Sequence, residues 1–264
     1  MLMATASVSV PRAELSFGYY ANLFRNEVRY EFLRMLRLRS YSLSVIGFPV
    51  MFYLLFGTLN SHNQYARYLL ASYSCFGLVG AALFGLGAGI AMERAQGWLD
   101  LKMASPMPRF AYLFAKTMSA AGFALVVTCL LSLIGVTLAG VHMTGLEFAK
   151  LIGITLAGAI PFASMGLLVS LLVPPTAGPG IINLIYLPMS FASGLWMPLD
   201  VLPKWMQHVA PALPAYHFAQ IALHIFGFAR SGSSLSGHWE ALLGFTCLML
   251  GAAWLVFSRR EAKA

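Results

Sequence analysis

The sequence predicts an all-α integral membrane protein. Its expected form is a bundle of six transmembrane helices, with an amphipathic interfacial helix before the first and a re-entrant, outer helical cap between the fifth and sixth. Three observations predict it. Of 264 residues, 59% are hydrophobic and only 10% charged, whereas a soluble domain carries roughly 45–50% apolar and about 25% charged residues. The mean hydropathy is +0.75. The apolar residues fall in long unbroken runs, not in the apolar/polar alternation of a membrane β-barrel strand. Helices follow, because lipid forces each segment to satisfy its own backbone polar groups.

The first 40 residues are read as a cytoplasmic N-terminal segment. Within it Phe17, Tyr20, Phe24, Val28 and Met35 share one helical face, opposite Asn22, Arg25, Asn26 and Arg29. A basic face backed by aromatics suits a helix lying in the membrane interface. Glu31 interrupts the apolar face.

Residues 41–258 form the membrane domain, and 259–264 a cytoplasmic tail. A bilayer core of about 30 Å needs roughly 20 apolar residues per helix. Six runs meet this: Tyr41–Leu59, Tyr68–Met92, Thr117–Val141, Leu151–Val173, Gly178–Leu199 and Ala241–Ser258, none holding Asp, Glu, Lys or Arg. No cleavable leader is expected, since the first long apolar run follows six arginines. Thirteen of the 17 Lys and Arg lie in the segments on one side of this topology and four on the other. The richer side is expected to be cytoplasmic, with both termini inside. The same asymmetry accounts for the net charge of +8 without a nucleic-acid partner.

In the second run Gly77, Ala81, Gly85 and Gly89 recur every four residues. Small residues so spaced let helices approach closely, either inside the bundle or at a dimer seam. The loop after it, Glu93–Lys116, carries Trp98 and Leu101 among Glu93, Arg94, Asp100 and Lys102, and Ser105-Pro106 ends any helix there. A short helix of this kind can be gripped by a soluble partner, or be a plain loop. The Asp200–Glu240 segment is long for a bundle connection and not hydrophilic. Pro198, Pro203, Pro211 and Pro214 break it. Irregular backbone at membrane depth must be buried in protein or line a wet cavity, so this segment is read as a gate or a passive lid.

Missing chemistry narrows the function. The spans hold no formal charge to bind or relay a coupling ion, which disfavours an ion-coupled carrier. There is no G-x-x-x-x-G-K-[ST] phosphate loop, so any work must be driven by another polypeptide. The three cysteines, Cys75, Cys129 and Cys247, make no disulfide framework and no paired metal spacing. Phe191-Ala192-Ser193-Gly194 resembles the serine motif of rhomboid proteases, yet the last run lacks a histidine to serve as base. Only His217 or His224 could reach Ser193, and only by an inward fold of their helix. Met51, Phe52, Tyr53, Phe56, Tyr186, Met189 and Trp196 line a pathway, face lipid or pack. An intramembrane serine protease, an ion-coupled carrier and a channel are the alternatives.

Two segments resemble a known family. Glu93-Arg94, Gly97, Leu99, Leu101 and Ser105-Pro106 are similar to the cytoplasmic loop of permeases of type-2 ATP-binding-cassette (ABC) exporters. Trp98 and Asp100 depart from that family's usual Thr and Glu. Ser193-Gly194, Met197-Pro198-Leu199, Leu202-Pro203, Trp205, Pro211, Pro214 and Tyr216 resemble its signature across the fifth span and outer cap. The resemblance implies a non-enzymatic permease without cofactor of its own, ATP and Mg being held by a cytoplasmic ABC ATPase subunit. It implies pairing with a second permease copy or a related chain in the bacterial inner (plasma) membrane, amid lipid. It implies ATPase coupling through Glu93, Arg94, Gly97, Trp98, Leu99, Asp100, Leu101, Ser105 and Pro106, and a cap or gate at Gly194, Pro198, Leu202, Pro203, Trp205, Pro214 and Tyr216. The implied activity is alternating-access export of an amphipathic or hydrophobic substrate (drug, antibiotic, lipid or glycan), as in multidrug efflux.

Overall fold

The computed structural model describes residues 17–59, 64–104 and 107–261. Among them every regular element is helical. The first helix, α1 (Phe17–Arg37), precedes α2 (Arg39–Phe52), which runs on through a π-helical turn at Tyr53–Gly57. Next, α3 (Gln64–Ala82) continues through a second π turn, Leu83–Ala88, into α4 (Gly89–Ala95). A short helix, α5 (Trp98–Ala104), leads to the long α6 (Arg109–Thr137). The pair α7 (Gly145–Ala157) and α8 (Ala159–Leu172) forms one bent rod, and α9 is Gly178–Ala192. Two shorter helices, α10 (Lys204–Val209) and α11 (Pro214–Ile225), precede α12 (Leu235–Glu261).

Five of these rods are long and apolar enough to cross a membrane: Arg39–Gly57, Gln64–Ala95, Phe110–Thr137, Gly145–Leu172 and Leu235–Arg259. The fifth expected run, Gly178–Leu199, is not among them. Its helix has 15 residues, roughly 22 Å at 1.5 Å per residue, and stops at Ser193 instead of reaching Leu199. The stop is chemical. Gly194 sits at φ +78°, its N–H donates to the Phe191 carbonyl and that of Leu195 to Ser190, at 3.1 Å each. Such paired bonds around a left-handed glycine close a helix C-terminus.

The rod Gln64–Ala95 is the axis of the bundle, with 83% of its apolar window buried, against 17% for α12. It packs on α2, α6, α8, α9 and α11. The four-residue stripe of small side chains faces inward: a Cβ on Gly77 would lie 2.6 Å from Val127 on α6, and one on Gly85 3.3 Å from the Tyr41 hydroxyl on α2. Of the two readings open for that stripe, close packing within the chain is the one observed. Its opposite side meets α8, where Gly87 and Gly166 let two backbones approach. The π turn lies at that crossing, and π turns of this kind are concentrated at functional sites.

Pro161, early in α8, cannot donate a backbone hydrogen bond to Ala157, and the α7–α8 rod breaks at Gly158. The Phe218 ring of α11 fills the break: a Cβ on Gly158 would stand 2.4 Å from it and 2.5 Å from Leu78. Neither buried neighbour has room to retreat. Gly158→Ala is therefore expected to cost about 1–3 kcal/mol, read as a lower thermal midpoint in detergent. Gly153→Ala, which meets nothing within 4 Å, should leave it unchanged.

Candidate functional site

Two places collect the residues singled out by sequence. The first is the end of the bundle that carries α5. Gly97, at φ +71°, turns the chain out of α4, and the Leu101 N–H donates back to the Gly97 carbonyl to open α5. Leu99 packs on the core, while Trp98 is 58% and Leu101 69% exposed. With Tyr19, Leu23 and Glu27 of α1, and with Lys102 and Met107, these two side chains line a groove of about 420 Å³. Ser105 and Pro106, and the Asp100 side chain, lie outside the described residues.

Glu93 and Arg94 do not share the exposed surface of α5. They end α4, and Glu93 is buried. Its carboxylate accepts hydrogen bonds from the Lys116 ammonium at 2.9 Å and the Tyr112 hydroxyl at 2.6 Å, and pairs with Arg34. Arg94 donates to the Ser170 carbonyl on α8. Glu31 completes the cluster. It receives Lys116 at 2.8 Å and Arg34 at 2.7 Å, with the Lys102 ammonium of α5 at 4.0 Å. Lys102 and Lys116 also approach the Tyr112 ring, at 4.8 and 5.1 Å from its centroid. The acid that interrupted the apolar pattern of α1 therefore ties α1 to α5 and α6, and its neighbour Arg34 ties α1 to α4.

The amphipathic helix expected in the N-terminal segment is α1. Its apolar face meets protein: Phe24 packs against Phe110 and Phe114, and Phe32 against Phe123, all on α6. Phe17 and Tyr20, assigned to the same face, remain exposed. Burying ions costs several kcal/mol each unless they are paired and hydrogen-bonded. Glu31 and Glu93 against Lys116 and Arg34 balance in charge.

Burial alone would raise the Glu31 carboxyl above its ordinary 4.5. The Lys116 charge and the Arg34 hydrogen bond outweigh that and hold it at about 2. A carboxyl whose folded pKa is depressed stabilises the fold above its unfolded value and loses that contribution as pH falls through the folded one. The thermal midpoint should accordingly drop between pH 4.5 and about 2, and Glu31→Gln should flatten that part of the profile. An equal acid slope in the variant would contradict the pairing.

The second place is the cap. Leu199, Leu202, Ala210 and Tyr216 form a small apolar core of their own. Pro198 precedes a 3-10 turn, Pro203 precedes α10, and Pro214 opens α11, where its missing N–H costs nothing. Trp205 is exposed, whereas one side of α11, including Phe218, Ile221 and Ala222, is buried against α3, α7 and α12. The segment is thus a packing element of the bundle. The Tyr68 hydroxyl of α3 donates to the Gly194 carbonyl at 2.5 Å and pins the turn. Among the mixed aromatic and Met positions, Tyr53, Tyr186 and Met189 are buried, while Met51 and Phe56 are exposed.

The structure does not assemble a serine nucleophile. Ser193 Oγ is buried without a hydrogen-bond partner. His217 Nε2 faces the Pro211 carbonyl at 2.9 Å, so it must donate there. Its Nδ1 then accepts from His238 Nδ1 at 2.8 Å. Both His217 nitrogens are engaged elsewhere, and His238 Nε2 has no partner.

The charge cluster escaped the sequence reading because its members are up to 85 positions apart. The misplaced Glu31, one helical turn from Arg34, was its one local signal.

Comparison with known proteins agrees with this layout. The profile of the ABC-2 type transporter family matches residues 22–227, from within α1 to just past α11. The chain is 26% identical over 246 residues to a Bacillus subtilis (strain 168) protein named "Putative transport permease YvfS", covering 91% of this chain and 99% of that one.

Proposed function

The chain belongs to the ABC-2 type transporter family, and from that premise we propose that it is the permease subunit of an ATP-driven exporter. Membership makes it a non-enzymatic, multi-pass transmembrane component that works with an ABC ATPase. In the proposed reading α5 is the coupling helix, Trp98 and Leu101 insert into a groove of the ATPase, and Gly97 sets the angle of α5. Glu93 and Arg94 act from behind, as anchors. ATP-driven closure of two ATPase subunits pushes on α5 in each of two permeases, this chain and a second copy or a related one. The push tips the membrane helices between inward- and outward-open forms.

One observation carries the reading: the exposed apolar helix is linked through Lys102, Glu31, Glu93 and Lys116 to α1, α4 and α6. A force on α5 is thereby delivered to helices that pack on one another over long stretches. The excess of Lys and Arg in the segments at this end supports placing it in the cytoplasm, both termini with it, and the cap outside. Rods whose ionisable groups cluster near their ends suit an amphipathic or hydrophobic cargo (a drug, antibiotic, lipid or glycan) better than a bare ion. The membrane would be the bacterial inner membrane.

The test starts with the tagged chain extracted from its own cells in mild detergent. A protein with a phosphate loop should co-purify. Inside-out vesicles holding the pair should accumulate a fluorescent apolar probe only with hydrolysable ATP. Absence of such a partner, or uptake indifferent to ATP, would refute the assignment.

A further inference from the structure

At the end of the bundle opposite α5, the start of α3, the turn after α9, α11 and the loop before α12 line an open cavity of about 500 Å³. That volume falls within the usual range for a small-ligand site. One wall is aromatic: the rings of Tyr65 and Tyr68 are parallel, 2° apart with centroids 6.1 Å from each other, and Phe228 meets Tyr68 edge-on. The remaining lining includes two opposite charges, Asp200 and Arg230. Neither is ion-paired with any described residue, and they do not pair with each other across the cavity.

The backbone at Arg230 is nonetheless held firmly. Its N–H donates at 2.8 Å to Oε1 of Gln220, which is 4% exposed, and its carbonyl accepts from the Ser233 hydroxyl at 2.7 Å. A buried glutamine therefore fixes the backbone of an arginine whose guanidinium has no partner among the described residues. Tyr68 is fixed in turn by its bond to Gly194.

We propose that this cavity binds the zwitterionic headgroup of a phospholipid, its phosphate on Arg230 and its ammonium between Asp200 and the Tyr65–Tyr68 rings. A guanidinium takes a phosphate in two parallel charge-assisted bonds. An ammonium is favoured both by a carboxylate and by the face of a tyrosine ring. Phe228 offers apolar surface to the glycerol and the first methylenes of the acyl chain. Phosphate and ammonium in one molecule match the two unpaired charges, which a purely anionic or cationic ligand would leave half satisfied. The proposal does not depend on the exporter reading, because binding is measured on the permease alone in detergent, without ATP or an ATPase.

The experiment measures the thermal midpoint of the detergent-purified chain against increasing lyso-phosphatidylethanolamine, lyso-phosphatidylglycerol and soluble glycerophosphoethanolamine. A saturable rise is expected with the first, at least tenfold weaker binding of the second, and weaker binding of the headgroup alone. Asp200→Asn should bring the two lysolipids within a few-fold of each other, while Arg230→Gln should abolish the rise with both. Neither charge has an ion partner to lose, so the midpoints without lipid should match the parent and report that both variants fold. Equal response to both lysolipids in the parent, or responses that survive both substitutions, would overturn the proposal. Equal binding of soluble headgroup and lysolipid would overturn the phospholipid as occupant and leave a soluble zwitterion.

Discussion

Lys116→Met is expected to be the most damaging single substitution outside the apolar core. The methionine keeps the apolar stem and removes the ammonium, its charge and its hydrogen bonds together. The Lys116 residue is 2% exposed, and its ammonium meets Glu31 at 2.8 Å and Glu93 at 2.9 Å. Without it two buried carboxylates share Arg34, whose side chain is nearly half exposed and so partly screened by water. Removing one partner of a buried, hydrogen-bonded ion set costs about 3–5 kcal/mol, because an uncompensated charge stays behind. That loss should appear as a much lower unfolding midpoint, or as a short half-life in detergent if unfolding is irreversible.

The control is the second-site change. Glu93→Gln alone should also destabilise, since Lys116 then keeps one carboxylate. Combined with Lys116→Met it should recover part of the loss, because Glu31 and Arg34 remain as a balanced pair. Such non-additivity is the signature of residues sharing one network. If the double variant is as unstable as the two single losses added, the four groups do not act as a unit.

The parts of this fold that could be read from sequence rest on local chemistry. Runs of apolar residues longer than a bilayer crossing announce themselves, and five of the six expected runs appear as rods of that length, with ends shifted by one to seven residues. The second run, for example, grows from Tyr68–Met92 to Gln64–Ala95. The Gly178–Leu199 run misleads because hydropathy continues past the point where backbone geometry ends the helix. Gly194 carries that information, but as a conformation. The exposed Trp98 and Leu101 were legible because an amphipathic stub is local. The Glu31–Lys116–Glu93 cluster was not, since its members belong to α1, α4 and α6 and meet only after those helices pack. The cavity between Tyr65 and Arg230 was hidden for the same reason: four separate segments build it.

Trp98→Asp is expected to abolish stimulation of the partner ATPase while leaving the permease folded and inserted. More than half of the Trp98 surface, and more of Leu101, lies outside the fold. Removing the indole therefore takes little from the core. At an interface the same side chain counts for more. Tryptophans seated in a partner's pocket are commonly worth about 2–4 kcal/mol, roughly a 30- to 1000-fold change in affinity. An aspartate adds to that loss by carrying an unpaired charge into an apolar contact. Trp98→Phe, which keeps an aromatic knob, should retain most of the coupling. Holding α5 in place and using it to couple are separable. Lys116→Met should lower stability and coupling together, because the anchor of α5 is gone. Trp98→Asp should lower coupling alone, at an unchanged thermal midpoint. Co-purification and stimulated ATP hydrolysis at parental levels in the Trp98→Asp variant would show that the ATPase grips some other part of the chain.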